Sequence, residues 1–135
     1  MLPRLFREAP VNAIWEGSGN VMCLDVLRAL GRDGEAARAV LAALAEEAGD
    51  PPDARAALDV IARAAAAEDA ESEARAAVER LALLAAVAAL RQSAPEVADL
   101  FARTRLEERH GAIYGTSEIS LDDARRLIDR ALPAA

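Results

Sequence analysis

From Leu81 to Leu90 the chain strings together ten apolar residues: leucines, alanines and one valine. A run of that length is too short to cross a bilayer and suits a helix inside a protein core. Apolar on every face, it must be surrounded by other elements. Upstream, Ala74, Ala77 and Val78 continue toward Leu81, Leu84, Ala85 and Ala88 at helical spacing, which predicts one long helix over about 69–92. The acidic stretch Glu68–Glu73 fits its first turn, where negative charge complements the helix dipole.

Hydrophobic residues make up 53% of the 135 residues but aromatics only 3%. Alanine supplies the difference, so the core must come from closely packed helices rather than large side chains. The length suits a single domain, or a piece of a larger one, and is enough to bury a core. All 16 cations are arginine, and the net charge is -7, which argues against an extended nucleic-acid surface. The charge is uneven. Residues 33–100 hold six arginines against fourteen acids, while residues 101–135 hold six of each and residues 1–32 hold four against three. A local basic patch at the ends is compatible with this distribution. Cys23, the single cysteine, lies in an apolar helical run and reads as a buried, inert thiol in a reducing compartment. Nothing at the N-terminus has the form of a secretory signal. The expected location is cytoplasmic, with no membrane partner.

The other segments also read as helices. One runs from Gly19 or Asn20 to Leu30, with apolar residues on several sides and Gly31 as its stop. A second covers about 35–48 with Ala37, Val40, Leu41 and Leu44 inside. After Gly49-Asp50-Pro51-Pro52, where Asp50 can cap, a third covers about 52–66 with a stripe at Ala54, Leu58, Ile61 and Ala65. Ser93-Ala94-Pro95-Glu96 fits a capping box that opens a helix to about Arg109, with Val97, Leu100, Phe101 and Thr104 inside. Ser120 caps a last helix over 121–131, with Leu121, Ala124, Leu127, Ile128 and Ala131 inside. Residues 1–18 are irregular or only briefly helical, broken by Pro3 and Pro10. No run alternates with period two. The expected fold is an all-α bundle of five or six helices, with residues 1–31 as a signature loop and helix and residues 32–135 as the bundle proper.

Chemistry concentrates in Ile14-Trp15-Glu16-Gly17-Ser18-Gly19-Asn20. A carboxylate beside apolar bulk can be desolvated and its pKa raised, as a general base acting on carbon requires. Glu16 can equally be a solvated charge favoured near a helix N-terminus. Ser18 and Asn20 can be plain helix caps, or can offer hydroxyl and amide groups to a phosphate or ribose at a helix start. His110, the single histidine, reads as a loop residue, because no cysteine or carboxylate cluster accompanies it. Arg125 and Arg126 read as a solvated helix face.

The stretch Pro3-Arg4-Leu5-Phe6-Arg7-Glu8-Ala9-Pro10-Val11-Asn12-Ala13-Ile14-Trp15-Glu16-Gly17-Ser18-Gly19-Asn20 resembles the C-terminal signature of the acyl-CoA dehydrogenases. Its continuation, Val21-Met22-Cys23-Leu24-Asp25-Val26-Leu27-Arg28, is most similar to the alkylation-response, AidB-type, branch. The tail around Phe101, Arg105 and His110-Gly111-Ala112-Ile113-Tyr114-Gly115-Thr116 is similar to that branch's C-terminal end. The resemblance implies that Glu16 is the base removing the α-proton of an acyl-CoA thioester, with hydride passing to FAD. Trp15, Gly17, Ser18 and Asn20 would then flank or hold FAD. It also implies binding of double-stranded DNA through arginines, with Arg28, Arg105 and Arg109 as the candidates. That family carries a β-domain with flavin contacts, for which this sequence has no counterpart. The chain therefore reads as a C-terminal fragment. FAD is expected in an intact parent but not on this chain alone. Self-association into a homo-oligomer is expected where apolar surface is left open. A structural or oligomerisation module without a site of its own is the remaining reading.

Overall fold

The computed structural model describes residues 2–15, 17–49, 51, 53–113 and 115–132. Seven α-helices and no strand occur among them, so the fold is the expected all-α bundle. Helix α1 (Leu2–Glu8) runs into a 3-10 turn (Ala9–Ala13). Then come α2 (Gly19–Arg32), α3 (Gly34–Glu47), α4 (Ala54–Ala66) and the long α5 (Ala70–Ser93). Helix α6 (Pro95–Phe101) continues as a π-helical segment (Ala102–Leu106), and α7 (Leu121–Ala131) follows a loop.

Helix α5 is the centre, with α2, α3, α4, α6 and the π segment all packed on it. Its buried positions are Ala74, Ala77, Leu84, Val87 and Ala88. The main core joins Leu84, Val87 and Ala88 to Ala48, Ala54, Ala57, Ala98, Ala102 and Leu106. A smaller cluster holds Ile61, Ala64 and Ala77, with Leu30, Leu41 and Leu81 against it. Only Ile61, Leu84, Leu106 and Val87 are both large and fully buried. Each therefore carries a disproportionate share of the apolar contacts.

Arginines clip the helices together. Arg91 of α5 donates to the Ala48 carbonyl at 3.2 Å and pairs with Asp99 of α6 at 2.7 Å. Gly49 adopts φ +78, the left-handed conformation that ends α3, and a Cβ there would press on Arg91 Nε at 3.2 Å. Arg80 of α5 donates to the Leu106 carbonyl at 3.0 Å and pairs with Glu108. Glu108 itself sits at φ 56, so this clip fixes a residue in a conformation that side chains usually avoid.

Several expectations need correction. Helix α2 has no buried residue: Val21 and Met22 are 44% and 46% exposed, because neighbours cover only one side of it. Cys23 is accordingly half-buried rather than buried. Gly31 lies inside α2, and Asp33 both ends α2 and caps α3 by accepting from the Ala36 N–H at 2.9 Å. The capping box at Ser93 is absent: Ser93 stays in α5, and Ala94 is the N-cap of α6. The Ala94 N–H bonds to the Leu90 carbonyl at 2.7 Å, which keeps the preceding turn helical. The α-helix expected to reach Arg109 stops at Phe101 and widens, with the Glu107 N–H bonded to the Ala102 carbonyl at 2.9 Å. The cap proposed for Asp50 lies outside the described residues. Val40 and Ala65 are exposed, and Ala57 and Ala64 complete the buried side of α4.

Ser120 caps α7 as expected, accepting from the Asp123 N–H at 3.1 Å. The Ser120 hydroxyl hydrogen bond, helped by Arg103 and Arg126, holds the Asp123 carboxyl below its ordinary value. The inner face of α7 departs from expectation. Ala124 and Leu127 are half-buried, but Leu121 and Ile128 are 78% and 56% exposed and Ala131 is exposed. Two ion pairs reach from α7 to α6 and its extension, Arg103 to Asp123 at 3.4 Å and Arg126 to Glu96 at 3.5 Å.

This difference in packing fixes the stability response. Leu84→Ala removes one of four large buried side chains and should cost about 2–5 kcal/mol. Leu121→Ala, on the open face of α7, should stay within about 0.5 kcal/mol. Urea unfolding of both variants followed by circular dichroism measures the contrast.

Candidate functional site

The signature segment sits where the 3-10 turn meets α2. The N–H groups of Ile14 and Trp15 both bond to the Val11 carbonyl, at 3.0 and 2.8 Å, which closes the turn and throws both side chains outward. Ile14 is 71% and Trp15 65% exposed, and Phe6 of α1 is 80% exposed. Glu16, the candidate base, lies outside the described residues. Gly17 has φ +138, and a Cβ there would meet Val21 at 3.0 Å, so both backbone and space demand glycine.

Ser18 takes the N-cap position of α2 with extended backbone, φ -69 and ψ 163, yet its side chain makes no capping bond. Ser18 is exposed at this helix N-terminus. Asn20 is inside the helix rather than a cap. Its Oδ1 accepts from Arg75 Nε at 2.6 Å, a bond that pins α2 to α5. Asn20 therefore keeps only its amide N–H groups for a ligand.

Sequence reading did not reach Arg75, because the contact spans 55 residues and carries no local pattern. Against a flavin, the described residues offer an open indole face, a glycine backbone and an uncommitted hydroxyl at a helix start. That donor set fits one side of such a cofactor. No cluster of His, Cys, Asp or Glu able to hold a metal occurs among the described residues.

The three candidate DNA arginines fall on separate elements. Arg28 of α2 is exposed and paired with Asp25 at 2.6 Å. Arg109 of the loop is exposed and paired with Glu107 at 2.9 Å. Arg105 of the π segment is exposed and enters no ion pair among the described residues. His110 lies beside a cleft formed by α6, the loop and α7. No helix among the described residues is long and apolar enough to cross a membrane.

Comparison with known proteins gives a local likeness. Over 31 residues the chain is 77% identical to AidB of Escherichia coli (strain K12), a protein described as an inferred acyl-CoA dehydrogenase. The matched segment is 23% of this chain and 6% of that protein's length. No protein-family model matches the chain, and no solved structure matches it. The likeness relates a short segment to an acyl-CoA dehydrogenase.

The Asn20–Arg75 bond gives the site its anchorage. Asn20→Ala and Arg75→Ala should each speed hydrogen exchange of the hydrogen-bonded amides at the start of α2, from Met22 onward, by about two- to tenfold, the range for one exposed hydrogen bond. The double variant should exchange no faster than either single one. Amide exchange followed by NMR measures this, and additive effects would show that the two side chains act separately.

Proposed function

We propose that this chain is the C-terminal helical portion of an AidB-like acyl-CoA dehydrogenase, with segment 14–20 forming one wall of a flavin and acyl-thioester site. The observation that carries the reading is the 77% identity over 31 residues to AidB. In this reading Glu16 removes the α-proton of an acyl-CoA thioester. That proton is acidified by the neighbouring carbonyl, and Ile14 and Trp15 supply the apolar bulk that keeps water from the base. FAD, when bound, supplies the hydride acceptor. The Ser18 hydroxyl and the first N–H groups of α2 hold its polar part, and Asn20 donates through its amide. Gly17 permits close backbone approach, and the exposed face of Trp15 walls the ring.

The remaining walls belong to a β-domain, so the chain by itself is not catalytic. Phe6, Ile14 and Trp15 form the apolar face that the flavin-bearing part covers. A chimaera in which this chain replaces the corresponding C-terminal part of the E. coli protein tests the assignment. The chimaera should purify with bound FAD, and Glu16→Gln should slow α-proton exchange of a bound acyl-CoA by at least about 10²-fold while retaining the flavin. A soluble, helical but colourless chimaera overturns the reading.

A second reading is binding of double-stranded DNA through Arg28, Arg105 and Arg109, favoured by the exposure of all three side chains. Two of them must leave carboxylate partners, and at most three phosphates are neutralised. The slope of log affinity against log salt should then be no steeper than about -2.7, and Arg28→Ala should make it shallower by about 0.9. Absence of salt-sensitive duplex binding at low ionic strength removes this reading.

A further inference from the structure

A cleft of about 800 Å³ lies between α6, the loop at 110–119 and α7. That size is within the range of small-molecule sites. Leu100 and Phe101 form its floor, Ile113 and Ile119 one side, and Leu127 of α7 the other. The loop wall is preformed. The Gly111 N–H donates to Thr116 Oγ1 at 3.0 Å, and that hydroxyl donates to the Ile113 carbonyl at 2.5 Å. A Cβ on Gly111 would lie 2.8 Å from the same oxygen, so the clasp depends on glycine. The Glu118 N–H closes the base of the loop on the Arg109 carbonyl at 3.1 Å.

The polar groups of the lining are unequal. Thr104 is buried and its hydroxyl donates to the Leu100 carbonyl at 2.8 Å, so both threonines are engaged within the chain. Arg105 is the exception: a cation on the cleft wall with no ion pair among the described residues, and no carboxylate residue lines the cleft with it. It stands on the π-helical turn at 102–106, an irregularity often found at functional positions. His110 also lines the cleft, with its Nδ1 3.1 Å from the Gly111 carbonyl. Helix α7 reaches α6 and its extension by ion pairs at Asp123 and Arg126, which leaves the apolar gap under Leu127 open.

We propose that this cleft binds an amphipathic monoanion, an unbranched alkyl chain whose carboxylate head pairs with Arg105. Charge complementarity selects the head, and the apolar walls select the chain. A peptide would need partners for its backbone N–H and C=O groups, and of the three lining hydroxyls those of Thr104 and Thr116 are engaged within the chain, leaving that of Ser117.

Octanoate, decanoate and dodecanoate, each below its micelle-forming concentration, are titrated into the 135-residue chain and followed by calorimetry and amide NMR. One saturable site is expected, with affinity rising by up to about fourfold per added methylene. Shifts should centre on 100–119 and α7. Arg105→Ala should weaken decanoate by about fivefold and leave uncharged decanol unchanged. Leu127→Asp should remove both, and its place on the lightly packed α7 leaves the bundle folded, as circular dichroism will verify. Arg125→Ala, on the same helix but outside the cleft, should change neither. The proposal is overturned by non-saturable binding, by decanol binding as tightly as decanoate, by indifference to Arg105→Ala, or by shifts centred on Phe6 and Trp15.

Discussion

Everything in this bundle depends on how closely its helices approach α5. Ala88 of α5 packs with Ala54 and Ala57 of α4 and with Ala98 and Ala102 beyond it, and Ala77 packs with Ala64 of α4, all buried. Small side chains bring backbones near one another, so dispersion contacts come from main chain and Cβ atoms rather than from large interlocking groups. That arrangement folds a chain with few aromatics, but it makes the core thin. Four large side chains are fully buried, and all four lie in α4, α5 or the π segment. Beyond that ring the large apolar residues are less completely enclosed, as at Leu100 of α6, which is 8% exposed.

Arginine supplies the anchoring that bulk cannot. Arg80 and Arg91 run from α5 to carbonyls at the ends of neighbouring elements, Leu106 and Ala48, and then on to the carboxylates of Glu108 and Asp99. Their side chains are only 22% and 27% exposed, so the guanidinium groups make charge-assisted bonds in partly desolvated surroundings. In the pairs at α7 the arginines are more exposed, 38% and 64%, and the N–O distances are longer, 3.4 and 3.5 Å. Helix α7 is thus positioned by weak contacts over an apolar gap, whereas α6 is bolted to the core.

The sequence carried the elements whose apolar residues are truly enclosed. The all-apolar run at 81–90 predicted a central helix, and α5 is that helix, because any neighbour can pack on any of its faces. Periodicity misled at α7, whose stripe is as regular as that of α4, and at α2 apolar residues on several sides wrongly implied burial on several sides. A stripe states which residues prefer burial, not whether another element arrives to bury them. Local hydrogen bonding was legible at Ser120, whose partner is three residues away, and misread at Ser93, where continuation of α5 through Leu90 and Ala94 outcompetes the cap. In the candidate site, the sequence marked Gly17 only by resemblance, and its φ of +138 and the pressure from Val21 emerge with the fold. The engagement of Asn20 emerges the same way, since Arg75 meets it only after α2 and α5 have packed.

Two serines with nearly identical backbones sharpen the contrast between the ends of the chain. Ser18 has φ -69 and ψ 163, and Ser120 has φ -73 and ψ 161. Ser120 accepts from the Asp123 N–H and donates its own proton to the Asp123 carboxylate at 2.9 Å. The third helical residue there is an acid, so the cap is reciprocal and self-contained, much as in a capping box. After Ser18 the third residue is Val21, which offers no acceptor, and the second, Asn20, is held by Arg75. Among the described residues no capping bond engages the Ser18 hydroxyl, and the first turn of α2 carries no acidic residue. The reciprocal cap makes the start of α7 self-sufficient, whereas the start of α2 is held from outside, by Arg75 across the α2–α5 contact.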